Sequence, residues 1–166
     1  MPNYKKCLWF LIPKNTQVYN LLKKLQSCDF TDKSDTITFE PITFEPHITI
    51  EYNMTNEYEC ITRWRKIIEN GINIHLKTDI NEGSDGEFYN LELNVSVVNN
   101  SGENVIQTGY APHVSFAYKN KPFTVKDKMI ARKIIDDFQL NDYSIKPVLA
   151  TQYCDSKEMP WFGNIV

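Results

Sequence analysis

The chain has 166 residues, of which 42% are hydrophobic, 23% charged and 13% aromatic, a composition that excludes a disordered protein and is typical of a soluble globular one. Its length predicts a single domain over residues 1–166. The formal net charge is -3, and Lys and Arg never occur in runs longer than a pair, so we expect no long nucleic acid as partner. A small phosphorylated ligand remains possible, because a few hydroxyls, backbone amides and a protonated histidine can hold one phosphate in a cleft.

Targeting and redox motifs are not visible. The apolar run after Lys5 and Lys6 is too short for a signal peptide or a membrane span, and Pro13 ends it. The four cysteines are scattered without a C-x-x-C pair, which indicates neither a zinc site nor a redox site. We therefore expect a cytoplasmic protein that does not contact a membrane.

The first half of the chain predicts two strands, each followed by a helix. Alternation in the second strand predicts that His47, Thr49 and Glu51 share one face. Before it lies a tandem repeat of Ile-Thr-Phe-Glu-Pro, whose prolines are typical of an edge or entry segment. The predicted elements are a strand at Lys6 to Ile12, a helix at Gln17 to Ser27, the tandem segment at Ile37 to Pro46, a strand at His47 to Tyr52 and a helix from Thr55 or Asn56 to Asn70.

The second half predicts two strands that form a hairpin, a further strand, a helix and a final hairpin. A capping box of Thr124 and Asp127 begins the helix, and Met129, Ile130, Ile134 and Ile135 are predicted to face inward. The predicted elements are strands at Ile72 to Ile80 and Glu87 to Val98 around a loop at Asn81 to Gly86, a strand at His113 to Tyr118, the helix to Phe138, and a hairpin of Ser144 to Tyr153 with Met159 to Val166. Helices with mainly antiparallel strands indicate an α+β fold.

Two of the three histidines occur in matching segments. Pro46-His47-Ile48-Thr49 and Pro112-His113-Val114-Ser115 share the pattern Pro-His-x-[Thr/Ser] followed by an apolar residue. Residues two apart in a strand point to the same side, so each segment presents an imidazole beside a hydroxyl. One such segment could arise by chance, but two in this context predict a phosphate site with four side chains. His75 has neither the proline nor the hydroxyl, and we assign it no catalytic role.

The paired H-x-[S/T] motifs resemble those of the two-histidine phosphoesterase superfamily. Within it, the chain is most similar to the cyclic phosphodiesterases of fungi and plants linked to tRNA splicing. The similarity is carried by Leu8-Trp9-Phe10 with Pro13, by Phe44-Glu45-Pro46-His47, by Tyr110 to Tyr118 and by Trp161. One difference is that relatives commonly place a helix before the second motif, whereas Val95 to Thr108 contains an Asn-Asn-Ser-Gly turn and little helical periodicity.

The resemblance implies a two-lobed fold, with two antiparallel sheets facing a central cleft and helices packed outside. It implies a monomeric hydrolase that needs no metal or other cofactor and whose partner is a small nucleotide with a cyclic phosphate. ADP-ribose 1'',2''-cyclic phosphate would open to the 1''-phosphate, and nucleoside 2',3'-cyclic phosphates to 2'-phosphates. His47 and His113 would be the acid–base pair, with Thr49 and Ser115 on the phosphate oxygens. Tyr118, Trp9 and Trp161 would contact the rest of the substrate.

Three alternatives stay open at this point. The same two motifs serve 2',5'-oligoadenylate or cyclic-dinucleotide phosphodiesterases, as in some viral relatives. A non-catalytic module that binds a nucleotide or an RNA end would keep the cleft without the chemistry. A zinc enzyme would need a third His, Cys or acidic ligand at a suitable spacing, which the sequence does not offer. Which histidine is the base is also left open.

Overall fold

The computed structural model describes residues 6–28, 45–84, 89–106, 109–119, 121–153 and 164–166. These residues form three helices and eight strands. In chain order they are β1 (Lys6–Leu11), α1 (Gln17–Gln26), β2 (His47–Glu51), α2 (Glu57–Asn70), β3 (Ile72–Ser84), β4 (Tyr89–Asn99), β5 (His113–Lys119), α3 (Val125–Phe138), β6 (Ser144–Ile145), β7 (Leu149–Tyr153) and β8 (Asn164–Ile165).

The strands form two antiparallel sheets. The first has the order β2-β1-β7-β8 and the second has the order β5-β4-β3-β6. The predicted α+β class with antiparallel sheets is therefore confirmed. Each histidine motif lies on an edge strand, β2 in one sheet and β5 in the other, and these two edge strands contact each other.

The helices begin where side-chain caps are available. Thr16 and Asn56 accept a hydrogen bond from the backbone three residues later, at the starts of α1 and α2. The capping box predicted for Thr124 and Asp127 is present at the start of α3. Since these caps depend only on neighbouring residues, the three predicted helices are confirmed to within one or two residues at each end.

One continuous apolar cluster lies beneath both sheets. It includes Leu8 and Phe10 of β1, Ile48 of β2, and Leu93 and Val114 of the second sheet. On the first sheet, Trp64 of α2 packs edge-on against Phe10 at 5.6 Å between ring centroids. This packing covers the face of the sheet that does not carry the histidine.

Three predicted boundaries or faces were wrong. The strand β3 continues through Asn81 to Ser84, because these residues pair with the start of β4 rather than forming a loop. The segment Ser144 to Tyr153 is two strands in different sheets, separated around Pro147, which cannot donate a backbone hydrogen bond. Met129 is exposed, since the buried stripe of α3 is Asp127, Ala131 and Ile135.

Among the described helices, none combines the length and the apolar composition needed to cross a membrane.

Candidate active site

The structure brings the two predicted motifs together at the adjacent edges of the two sheets. His47 and Thr49 lie on β2, and both side chains are buried. His113 and Ser115 lie on β5 and are half-buried. Two imidazoles and two hydroxyls therefore come from matching positions of two different sheets.

His47 is held by a carbonyl on one side and an indole on the other. Its Nδ1 lies 2.7 Å from the backbone oxygen of Glu45, and its ring stacks on Trp9 with centroids 3.6 Å apart and planes 15° apart. Because a carbonyl only accepts, Nδ1 carries a hydrogen and Nε2 carries the lone pair of the neutral ring. Burial lowers the pKa of His47 to about 4, against the opposing effect of the Glu45 carbonyl, and nearby His113 lowers it further. His47 is thus neutral at neutral pH.

His113 has an acceptor at both ring nitrogens. Nδ1 lies 3.0 Å from the backbone oxygen of Ala111, and Nε2 lies 2.9 Å from Oε2 of Glu92. The imidazolium is the form of the ring that can donate a hydrogen bond from both nitrogens to these two acceptors. Burial lowers the pKa of His113, but the contacts with Glu92 and Ala111 outweigh it and raise the pKa above its ordinary value. The surroundings of the two histidines therefore shift their pKa values in opposite directions, so His113 keeps its proton to higher pH than His47.

A polar network surrounds the second hydroxyl. Asn90 Nδ2 lies 3.1 Å from Ser115 Oγ and 3.3 Å from Glu92 Oε2. Glu92 pairs with Ser115 across β4 and β5, so the two residues share one face of the sheet. The hydroxyl, the amide and the carboxylate are consequently fixed beside His113.

A matching irregularity follows each hydroxyl. Between β4 and β5, Leu91 pairs with Ala117 and Glu92 with Ser115, so β5 has one extra residue at Phe116. Between β1 and β2, Leu8 pairs with Glu51 and Trp9 with Thr49, so β2 has one extra residue at Ile50.

These bulges reverse the faces of the residues that follow them. Tyr118, three positions after Ser115, returns to the face of that serine. The prediction for Glu51 was wrong for the same reason: its side chain lies on the other face of the sheet, where it accepts hydrogen bonds from Trp64 Nε1 at 3.1 Å and from Arg63.

Tyr110 connects the two half-sites. Its hydroxyl donates to the backbone oxygen of Thr49 at 2.7 Å, and its ring lies 6.2 Å from that of His113. Because its single hydrogen is used in this bond, the hydroxyl of Tyr52, 3.2 Å away, is the donor to Tyr110. Burial and the neighbouring Tyr52 raise the pKa of Tyr110 above its ordinary value, so it is a neutral donor. The tyrosine therefore fixes β2 relative to the start of β5.

The predictions for Trp9 and Trp161 have different outcomes. Trp9 is fully buried, and the structure shows its ring against His47. Its Nε1 is one of three buried polar atoms without a hydrogen-bond partner among the described residues. Contact between Trp9 and a substrate stays a prediction, while orientation of His47 by Trp9 is what the geometry indicates. Trp161 lies outside the described residues.

Sequence reasoning missed four residues of this site: Asn90, Glu92, Tyr110 as a connector, and Tyr52. The strand β4 alternates polar and apolar residues, which indicated a polar face but not that β4 lies next to β5. For Tyr52 a signal existed: both motifs extend to H-x-[T/S]-x-x-Y, as His47 to Tyr52 and His113 to Tyr118. The repeat places a tyrosine after each bulge.

The described residues hold no group of three or more His, Cys, Asp or Glu side chains arranged to bind a metal ion. Two imidazoles with pKa values shifted in opposite directions, two hydroxyls and a carboxylate are the chemical groups of the site. They can accept one proton, donate another and hydrogen-bond an anion.

Comparison with known proteins adds no relative to this description: no protein-family model matches the chain, and no curated protein matches it.

Proposed function

We propose that this protein hydrolyses small cyclic phosphodiesters by acid–base catalysis between His47 and His113, without a metal. The observation that carries the proposal is a pair of imidazoles that matching motifs place on adjacent strands, one against a carbonyl and the other against a carbonyl and a carboxylate. Hydrolysis of a cyclic phosphate needs one group that takes a proton from water and another that gives a proton to the leaving oxygen. A neutral and a protonated histidine meet both needs.

The hydrogen-bond pattern favours His47 as the base and His113 as the acid. The Nε2 of neutral His47 has the lone pair that can accept a proton from water. The Nε2 of His113 carries the hydrogen that can pass to the leaving oxygen. As the water oxygen bonds to phosphorus, the bond from phosphorus to one ribose oxygen breaks. One proton moves from the water to His47, and another moves from His113 to the ribose oxygen that leaves. In this proposal Thr49 and Ser115 hydrogen-bond the non-bridging oxygens.

For substrates, we propose ADP-ribose 1'',2''-cyclic phosphate and nucleoside 2',3'-cyclic phosphates, with 1''- and 2'-phosphates as products. The net charge of -3 supports a ligand with few phosphates over a long nucleic acid. The tyrosines after each bulge, Tyr52 and Tyr118, supply aromatic surface near the phosphate site for a base or ribose.

The test offers the purified protein, in excess chelator, these cyclic monophosphates, a 2',5'-oligoadenylate and a cyclic dinucleotide, with identification of each product. We expect the fastest turnover for a cyclic monophosphate. His47→Asn and His113→Asn should each lose about a thousandfold in kcat, and Thr49→Val and Ser115→Ala about ten- to a thousandfold. His75→Asn, outside the site, is the control and should retain full activity.

The pH profile tests the assignment of base and acid. kcat/KM should fall on the acid side near pH 4, where His47 becomes protonated, and on the alkaline side above pH 6.5, where His113 loses its proton. Preference for the oligoadenylate or the dinucleotide would overturn the substrate assignment. Binding of these ligands without turnover would overturn catalysis.

A further inference from the structure

The two motifs differ in the residue that the neighbouring strand places opposite each hydroxyl. Across β1 and β2, Thr49 pairs with Trp9, whereas across β4 and β5, Ser115 pairs with Glu92. Equivalent positions thus hold an indole in one half-site and a carboxylate in the other. The indole stacks on the His47 ring, and the carboxylate contacts Nε2 of His113.

The Glu92 carboxylate contacts the nitrogen of His113 that would donate a proton to the substrate. Nδ1 of His113 is already used by the Ala111 carbonyl, so Nε2 is the nitrogen left for proton transfer, and the Glu92 carboxylate lies 2.9 Å from it. A leaving oxygen and the carboxylate therefore compete for one N–H. Asn90 Nδ2, 3.3 Å from the same carboxylate oxygen, gives Glu92 a second partner when a substrate takes that hydrogen.

We infer that Glu92 is the resting counter-ion of His113, a positioning residue that holds the imidazolium between turnovers and disfavours a phosphate group with two negative charges at Nε2. This inference rests on the proposed function. The cyclic phosphodiester group itself carries one negative charge, whereas the phosphomonoester group of the product carries nearly two at neutral pH. The substrate displaces the carboxylate from Nε2, and the product is repelled by it. After turnover, solvent takes a proton from His47 and returns one to His113, and Glu92 binds again.

The other titratable groups around His113 do not substitute for this charge. Among the described residues, His47 on β2 and Tyr110 before β5 lie near His113, and Tyr52 is hydrogen-bonded to Tyr110. His47 is neutral when its pKa is about 4, and a tyrosine with a raised pKa is also neutral. Glu92 thus supplies the negative charge that offsets burial of the imidazolium.

The test compares wild type with Glu92→Gln, Glu92→Asp and the control Glu103→Gln. Glu103 is an exposed carboxylate on the turn after β4. In Glu92→Gln we expect the alkaline limb of kcat/KM to move down by about one pH unit or more. The inhibition constant of the phosphomonoester product should fall about tenfold. This change should be at least about threefold larger than any change in KM for the cyclic substrate. Glu92→Asp keeps the charge and should give intermediate values, and Glu103→Gln should match wild type.

A lower kcat at every pH, with the alkaline limb and the product inhibition unchanged, would show that Glu92 is only structural. A separate readout does not depend on turnover: titration of the His113 ring by NMR in wild type and Glu92→Gln. We expect a lower pKa in the variant, and an equal pKa would overturn the inference. If wild type hydrolyses no offered substrate but the His113 pKa falls in the variant, the counter-ion role stands and the proposed reaction fails.

Discussion

The pH dependence of folding gives a direct measurement of the environment of His47. Its pKa is about 4 in the folded protein, against 6.5 for an ordinary histidine. As pH falls below 6.5, the unfolded chain therefore binds a proton that the folded chain does not. Stability from this group is fully present above pH 6.5 and is lost as pH falls toward 4. With these two values, the free energy of unfolding decreases by about 2 kcal/mol by pH 5 and about 3 kcal/mol by pH 4.

The measurement is urea unfolding of wild type and His47→Asn at intervals between pH 7.5 and pH 4. Asparagine can still donate to the Glu45 carbonyl, which keeps the contact that Nδ1 makes. Subtracting the two stability curves removes the titration of groups that both proteins share. We expect the advantage of wild type over the variant to shrink by about 3 kcal/mol across this range, a large part of the total stability of a typical domain.

His113 supplies a control of opposite sign. Its pKa is raised in the folded protein, so its contribution is fully present below pH 6.5 and is lost as pH rises through the folded value. His113→Asn should therefore differ from wild type most at acid pH. Parallel curves for wild type and His47→Asn, within about 0.5 kcal/mol from pH 7.5 to pH 4, would refute the argument that His47 is buried in its neutral form.

Two further predictions concern contacts that support the site. Tyr110→Phe removes the bond to the Thr49 carbonyl and should lower the free energy of unfolding by about 1 kcal/mol and kcat/KM about tenfold, whereas Tyr58→Phe, at an exposed tyrosine, should change neither. Lys119→Met removes the cation 3.0 Å from buried Asp127 and should cost about 3 to 5 kcal/mol in urea unfolding. The exposed Lys133→Met should cost less than about 0.5 kcal/mol, and equal losses in both lysine variants would contradict the role of burial.

The parts of the fold that were predictable from sequence depend on neighbouring residues. The caps at Asn56 and Thr124 and the apolar periodicity of the helices act within a few positions, so the helices were predicted closely. The extension of β3 to Ser84 depends on pairing with β4, and the exposure of Met129 depends on which face of α3 meets the sheet. Long-range packing decides both, and one sequence does not show it.

The residues of the site likewise include some that were predictable from sequence and some that were not. The two histidines and their hydroxyls were found because the motif repeats and because alternation places residues two apart on one face. Alternation also predicted the wrong face for Glu51. The bulge at Ile50 inserts one extra residue into the strand, so the side chain of Glu51 points to the opposite face. Glu92 was missed because its importance comes from the strand beside it, and strand order is a property of the whole sheet.

The paired bulges determine how far apart the chemical and aromatic ends of the site lie. In each motif the tyrosine lies three positions after the hydroxyl, a distance of about 10 Å or somewhat less along an extended backbone. The strand ladder includes Tyr118 in the second motif and extends to Glu51, the residue before Tyr52, in the first, so the sheet sets most of this spacing. Under the proposed function, ligand length therefore becomes a selection criterion: a compound whose phosphate and ring system are much closer together or farther apart would reach only one of the two ends.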